Sequence, residues 1–522
     1  MPEANVAKLS DLRDGDMMQV SVGDTDVLLA KVAGQVYATG AYCTHYGAPL
    51  AEGALSGERV ICPWHHACFH VGSGDQLEPP GLDSVSRFDV RIDGDHVFVS
   101  VPDDADNDRV LPAVRKQADD ERVFVVLGGG PAGAYAAETL RQEGFSGRLV
   151  MISHEDYLPF DRTNLSKHLS MVAEPDELVL RGEDFYDQRD IERIRDVVRE
   201  VDAGTQMIHF ANGGADDGAL HYDKLLVATG GVPKRLELPG MDLTNVFTLR
   251  HIGDAQQILN QAGDGVRAVV VGSSFIGTEV AMSLVKNGCG VTVVSPDSVP
   301  LENVLGDDLG TAVQNLHEQG GIGFRLGHKP ARFEGDGAVE RVVLDNGDVI
   351  EADLVVVGVG VRPATDMLKG VDLQPDGGVR VDAHMHAQQN LYAAGDIASF
   401  PHRDGFVRIE HWRVAAQHGR VAAKRMLGQD ARYDGVPFFW SEQPGMQLGY
   451  VGFAPDWDEV IIDGDPEEAD FLACFVKDNE VLAAAASGRD SDLAAIEHLM
   501  QQNRMPSAAE VRQGNVDWAG LL

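Results

Sequence analysis

The chain is short of the residues from which several kinds of protein are built. Five cysteines in 522 residues, at 43, 62, 68, 289 and 474, are too few and too scattered for a disulfide framework. No apolar run approaches the roughly 20 residues that a membrane-spanning helix needs. Residues 1–24 are polar and acidic, without the basic and apolar regions of a secretory signal, so a cytoplasmic protein is expected. Lysine is scarce, 11 against 32 arginines, and the 82 acidic residues leave a formal net charge of −39. That charge excludes nucleic acid and anionic membrane surfaces as partners, because both repel it. Two accounts of it stand side by side: a salt-adapted host, where screening relieves self-repulsion, or an acidic docking face for a basic partner.

What is present is glycine, 58 residues of it, with 44% hydrophobic residues. That combination fits α/β cores with many tight turns, and the length allows three or four domains. The first hundred residues alternate short β-branched runs (18–22, 27–32, 35–38, 96–101) with Gly and Asp turns, the pattern of a small all-β domain. A polar, Asp-rich stretch follows and reads as a flexible tether. Val123-Phe124-Val125-Val126-Leu127 then opens a strand–glycine turn–helix unit, which recurs from Arg267. Beyond about Tyr433 mixed strands and a late helix (490–502) form a further α+β unit. The expected architecture is multidomain: an all-β domain at 1–105, a linker at 106–121, a doubly wound α/β domain at 122–246 and 366–432, a second at 247–365, and an α+β domain at 433–522.

Cys43-Thr44-His45 and Cys62-Pro63-Trp64-His65 each deliver one thiolate and one imidazole. A Rieske-type [2Fe–2S] centre needs two of each, the sulfurs on one iron and the nitrogens on the other. The assignment is Cys43 and Cys62 on the first iron, His45 and His65 on the second. Zinc is the alternative, but zinc sites usually pair two cysteines in one loop and two histidines in another. His66, Cys68 and His70 are surplus and read as loop packing or exposed residues.

Gly128, Gly130 and Gly133 form G-x-G-x-x-G between a strand and a helix, and Glu155 ends the next strand, placed to take ribose hydroxyls. A second fingerprint runs Gly272-Ser273-Ser274-Phe275-Ile276-Gly277, with Ser274 where the middle glycine belongs. Ser295 ends the following strand, Asp297 is two residues on, and no Arg or Lys is near to hold a 2′-phosphate. NADH is expected over NADPH.

The region from about Arg122 resembles the ferredoxin reductases that serve bacterial oxygenases, and apoptosis-inducing factor. The carrying segments are Leu158-Pro159-Phe160-Asp161-Arg162, Leu165-Ser166-Lys167, Leu226-Val227-Ala228-Thr229-Gly230, Val357 to Pro363, Tyr392-Ala393-Ala394-Gly395-Asp396, Glu410-His411-Trp412 and Phe439-Trp440-Ser441-Glu442-Gln443. With its first domain, the chain is most similar to Rieske-fused, apoptosis-inducing-factor-like members of the FAD-dependent pyridine nucleotide-disulfide oxidoreductase and ferredoxin reductase family. The resemblance implies FAD as cofactor, with Asp396 at the ribityl chain and Arg162, Thr229, Gly230, Gly395, Trp412 and Trp440 at the flavin nucleotide. It places Ile276, Glu279 and Gly360 at the coenzyme, and pairs Lys167, beside the reactive ring edge, with Glu279. The other reading of Lys167–Glu279 is a surface ion pair worth little.

Two departures stand out: His66 where Rieske ferredoxins usually have glycine, and Thr163-Asn164 where the reductases usually have two prolines. Ala48 stands where respiratory Rieske proteins have a cysteine, so their bridge between the two loops cannot form, and Ala67 stands where they have a serine that hydrogen-bonds a cluster sulfur, which implies a potential low in the range of about −150 to +300 mV. Cys289 and Cys474 read as buried small apolar residues. The implied activity is an NAD(P)H-dependent FAD oxidoreductase passing electrons to its own cluster and on to an external oxygenase, ferredoxin or cytochrome. The chain is expected as monomer or homodimer. The alternative is a redox-sensing interaction protein with incidental NADH oxidation.

Overall fold

The computed structural model describes residues 3–214, 218–403 and 405–522. Near the N-terminus six antiparallel strands lie in the order Glu3–Lys8, His96–Ser100, Arg87–Asp93, Gln35–Gly40, Thr25–Val32, Met17–Val22. A four-stranded sheet (Ala54–Ser56, Arg59–Ile61, Cys68–His70, Gln76–Glu78) is packed beside it. The two Cys/His segments are matching turns. The Cys43 N–H donates to the Ala48 carbonyl at 2.9 Å and the Cys62 N–H to the Ala67 carbonyl at 2.8 Å. Gly47 in the first turn and His66 in the second hold the same left-handed conformation, φ 74° and 57°. A side chain at that angle is strained, so His66 must be held by something else.

Two parallel sheets follow. Uninterrupted apolar strands suit sheets covered on both faces. The first contains Val123–Leu127 between Arg148–Ser153 and Lys224–Val227, extended by Leu391–Ala393 after the chain returns. The second sheet runs Val246–Thr248, Leu354–Val357, Arg267–Val271, Gly290–Ser295, Gly323–Leu326. The C-terminal region is a five-stranded antiparallel sheet (Phe438–Gln443 at one edge) with the helix Asp490–Gln501 laid on it.

The stretch expected as a flexible tether carries hydrogen bonds to its neighbours. Asp108–Arg109 pairs with Ser84–Val85, and the N–H groups of Val114 and Gln117 donate to the carbonyls of Arg141 and Ser146 at 3.0 and 2.8 Å. Arg115 also pairs with Asp190 at 2.8 Å. These groups find partners on both neighbouring domains.

The N-terminal domain itself is docked. Ala54, Ile61 and Cys68 share an apolar cluster with Phe438, Leu493 and Ile496 of the C-terminal region. Arg181 forms ion pairs with Asp83 and Glu138 at 2.8 and 2.9 Å. Arg413 donates to the Pro79 carbonyl at 3.0 Å and to Glu497 at 2.7 Å, and Glu497 meets His66 Nδ1 at 2.5 Å. His66 is therefore neither exposed nor simple packing. Its bond to Glu497 is the interaction that supports its strained backbone.

Candidate active site

The four proposed cluster ligands come together in pairs. His45 Nδ1 and His65 Nδ1 approach to 3.0 Å, and the Cys43 and Cys62 thiols lie in hydrogen-bond contact. Paired nitrogens and paired sulfurs are the donor set of a two-iron cluster, one pair per iron. Among the described residues no three His, Cys, Asp or Glu side chains gather around a single-ion position, as tetrahedral zinc would need. The donor set fits a [2Fe–2S] group. All five cysteines are unpaired and buried, Cys289 and Cys474 among apolar neighbours as expected.

The imidazoles face the rest of the molecule. Trp440 lies with its ring 4.3 Å from that of His65 and 5.9 Å from that of His45, centroid to centroid. Trp440 also lines a cavity of ≈1030 Å³ that runs between the two parallel sheets. That volume exceeds the usual pocket for one drug-sized ligand and suits a dinucleotide with a second nucleotide beside it.

The cavity gathers the expected nucleotide residues. Gly128, Gly130, Glu155, Arg162, Thr229, Gly230, Gly395, Asp396 and Trp412 line one arm, and Ile276, Glu279 and Gly360 face it from the second sheet. Gly133, Gly272 and Gly277 stand behind its wall. A Cβ on Gly133 would lie 1.9 Å from the Gly128 carbonyl, and one on Gly277 2.1 Å from that of Gly272. These two glycines let helix approach strand. A Cβ on Gly130, by contrast, would meet nothing within 4 Å, which leaves open space at the start of the helix Pro131–Gln142 for a pyrophosphate. His411 Nδ1 is buried on the cavity wall with no partner in the protein, and burial pushes that imidazole's pKa down to about 4. An open cradle and an orphaned polar atom both fit FAD.

Glu155 is held ready. Burial would raise its pKa, but the His251 hydrogen bond at 2.6 Å and the Arg162 charge outweigh that and bring it down to about 2. Arg250 pairs with Asp396 at 2.9 Å. In the second fingerprint Ser295 does not reach the cavity. It is buried, and its hydroxyl donates to Asp297 at 2.8 Å, joined by Ser273 at 3.2 Å. Both hydroxyls hold the Asp297 carboxylate at this corner, and Asp297, like Ser295, stands outside the residues that line the cavity.

Lys167 and Glu279 meet at 3.1 Å with side chains 9% and 2% exposed, which removes the surface-pair reading. Glu279 also accepts from Ser166 and from Ser441, at 2.5 and 2.6 Å. Behind Ser441 stand Gln443 at 2.7 Å and His317 at a further 2.7 Å. All the donors in this chain, drawn from three domains, point toward the Glu279 carboxylate.

The sequence profile of the pyridine nucleotide-disulphide oxidoreductase family matches residues 122–419, more than half of the chain. The chain belongs to that family. The Rieske [2Fe-2S] domain profile matches residues 3–89 and the reductase C-terminal profile residues 438–522. Apoptosis-inducing factor 3 of Mus musculus is 37% identical over 99% of this chain and 88% of its own. The ferredoxin–NAD(+) reductase component of the anthranilate 1,2-dioxygenase system of Burkholderia cepacia is 33% identical over 75% of this chain and 97% of its own. Among solved structures, the covalent putidaredoxin reductase–putidaredoxin complex superposes with TM-score 0.72 at 27% identity, covering 77% of this chain and 98% of that one. This member of the family is an oxidoreductase whose cofactors are FAD and a Rieske [2Fe–2S] cluster. Among the described residues no helix is long and apolar enough to cross a membrane.

Sequence reasoning did not single out Arg250, His251, Tyr46 or the Gln443–His317 extension. Ser441 and Gln443 were visible only as neighbours of Trp440. Their spacing of two, which puts both on one face of the strand Phe438–Gln443, was the available signal.

Proposed function

We propose that this oxidoreductase carries electrons from NADH through FAD to its own Rieske cluster, and from there to an external one-electron protein. The observation that carries the reading is Trp440, which belongs both to the wall of the nucleotide cavity and to the surroundings of His65 and His45. FAD supplies the conversion of a two-electron hydride into single electrons that such a cluster accepts. The chain's own residues position these groups. Cys43, Cys62, His45 and His65 hold the irons within 1–105. Gly128, Gly130, Glu155, Arg162, Thr229, Gly230, Gly395, Asp396 and Trp412 hold FAD within 122–246 and 366–432. Ile276, Gly360 and Asp297 receive the coenzyme within 247–365. Lys167, fixed by Glu279, keeps a positive charge at the flavin edge. NADH is favoured because Asp297 suits ribose hydroxyls and repels a 2′-phosphate. Relatives named as ferredoxin–NAD(+) reductase components support a ferredoxin or oxygenase as acceptor. An anaerobic stopped-flow experiment with NADH tests this. Flavin should bleach first and the cluster second, and Trp440→Ala should slow the second phase more than the first. A cluster that stays oxidised while flavin turns over would sink the proposal and favour the sensing role.

A further inference from the structure

Thr163 and Asn164, the pair standing in place of two prolines, both act as donors. Thr163 donates to Asp161 Oδ1 through its N–H at 2.9 Å and its hydroxyl at 2.6 Å. Asn164 Nδ2 donates to the Tyr46 hydroxyl at 2.9 Å, and that hydroxyl donates to Asp161 Oδ2 at 2.7 Å. Proline has no N–H and no side-chain donor, so the usual pair cannot build this arrangement. Tyr46 comes from the N-terminal domain and adjoins His45; the other three come from the loop that carries Arg162 and Lys167 along the nucleotide cavity.

The outcome is a carboxylate only 6% exposed whose Oδ2 lies 3.9 Å from Nε2 of His45. Nδ1 of His45 points the other way, at His65. If Nδ1 is the iron-binding atom, Asp161 stands against the outer nitrogen of a ligand ring. Its hydrogen-bond donors, Thr163 and Tyr46, are neutral, so they fix the carboxylate without cancelling its charge. A negative charge in a low-dielectric interior acts strongly over this distance.

We infer that Asp161 is a positioning residue that lowers the reduction potential of the cluster from across the domain interface. The inference rests on the cluster assignment proposed above. One electron enters the cluster, no bond forms or breaks, and the fixed carboxylate opposes the added negative charge. The low potential expected of this centre is thus partly supplied by the flavin domain, and it makes the reduced cluster a stronger donor to an outside protein.

Redox titration of the full-length holoprotein at one pH, followed by the Rieske electron-paramagnetic-resonance signal, is the test. Asp161→Asn should make the reduced form at least tenfold more populated at a given poise, an upward shift of about 59 mV for one electron. Asp161→Glu should retain most of the wild-type value, and Thr163→Pro with Asn164→Pro should shift upward by less. An Asp161→Asn protein with its signal intact and its midpoint unmoved overturns the inference. If that variant fails to load the cluster, an unmoved midpoint in the proline pair, which keeps Asp161 and all four ligands, overturns it instead. A wild-type protein with no Rieske signal overturns the cluster assignment itself, a distinguishable failure.

Discussion

Replacing Glu497 by Leu should free the N-terminal domain from its dock by about 3–5 kcal/mol, the usual cost of stripping one partner from a buried ion pair. Glu497 lies between Arg413 and His66, with side chains 9%, 3% and 1% exposed. Its removal leaves the guanidinium buried with no carboxylate. A second route to the magnitude agrees. Burial would raise the Glu497 pKa, but Arg413 and His66 outweigh it and bring it from 4.5 down to about 2. At 1.36 kcal/mol per pH unit, that depression is worth about 3 kcal/mol. The sign follows: the unfolded chain takes up the proton first, so the contribution is whole above about pH 4.5 and is lost as pH falls toward 2. Limited proteolysis in residues 102–121 reads the opening directly when closing outpaces cleavage. The cut rate should rise roughly 140- to 3700-fold at neutral pH, since about 1.4 kcal/mol is tenfold. Arg413→Met added to Glu497→Leu should recover most of the loss, because apolar replacement of a whole buried pair is often neutral. A rise of less than about fivefold for the single variant, or a double variant as open as the single one, would refute this account of the dock.

Asp297→Asn should reduce the NADH-to-NADPH ratio of kcat/KM by about tenfold, the worth of one charged hydrogen bond; an unmoved ratio would assign ribose recognition to another group. Ser441→Ala should lower the rate of flavin reduction at saturating NADH by about tenfold with KM nearly unchanged, as expected for a lost bond to a buried carboxylate. Ser441→Thr should restore it, and a change confined to KM would show that Ser441 serves binding and not the placement of Glu279.

Much of the site was legible because its signals are local. Val123–Leu127, Arg148–Ser153 and Arg267–Val271 form strands at the bounds their apolar runs indicate. The first fingerprint helix starts at Pro131, since proline's fixed φ suits a helix's first turn. The ligand spacing singled out the two Cys and two His side chains that the fold brings together in pairs. What sequence could not give was the dock, whose deciding bonds join residues as far apart as His66 and Glu497, 431 positions along the chain. His66 looked like a spare residue because its partner lies in another domain. Thr163-Asn164 was visible only as a departure from two prolines, because the hydroxyl it serves belongs to Tyr46.

The inward-facing histidine pair has a consequence in kinetic order. Two redox groups that never part exchange an electron as a first-order event, with no dilution dependence and no encounter for salt to screen. For a chain of net charge −39, ionic strength should then act on turnover only where something arrives from outside, at coenzyme entry and at the final acceptor. That acceptor must reach the cluster by a face other than the one closed by Trp440; Trp64, set between Cys62 and His65, is 44% exposed.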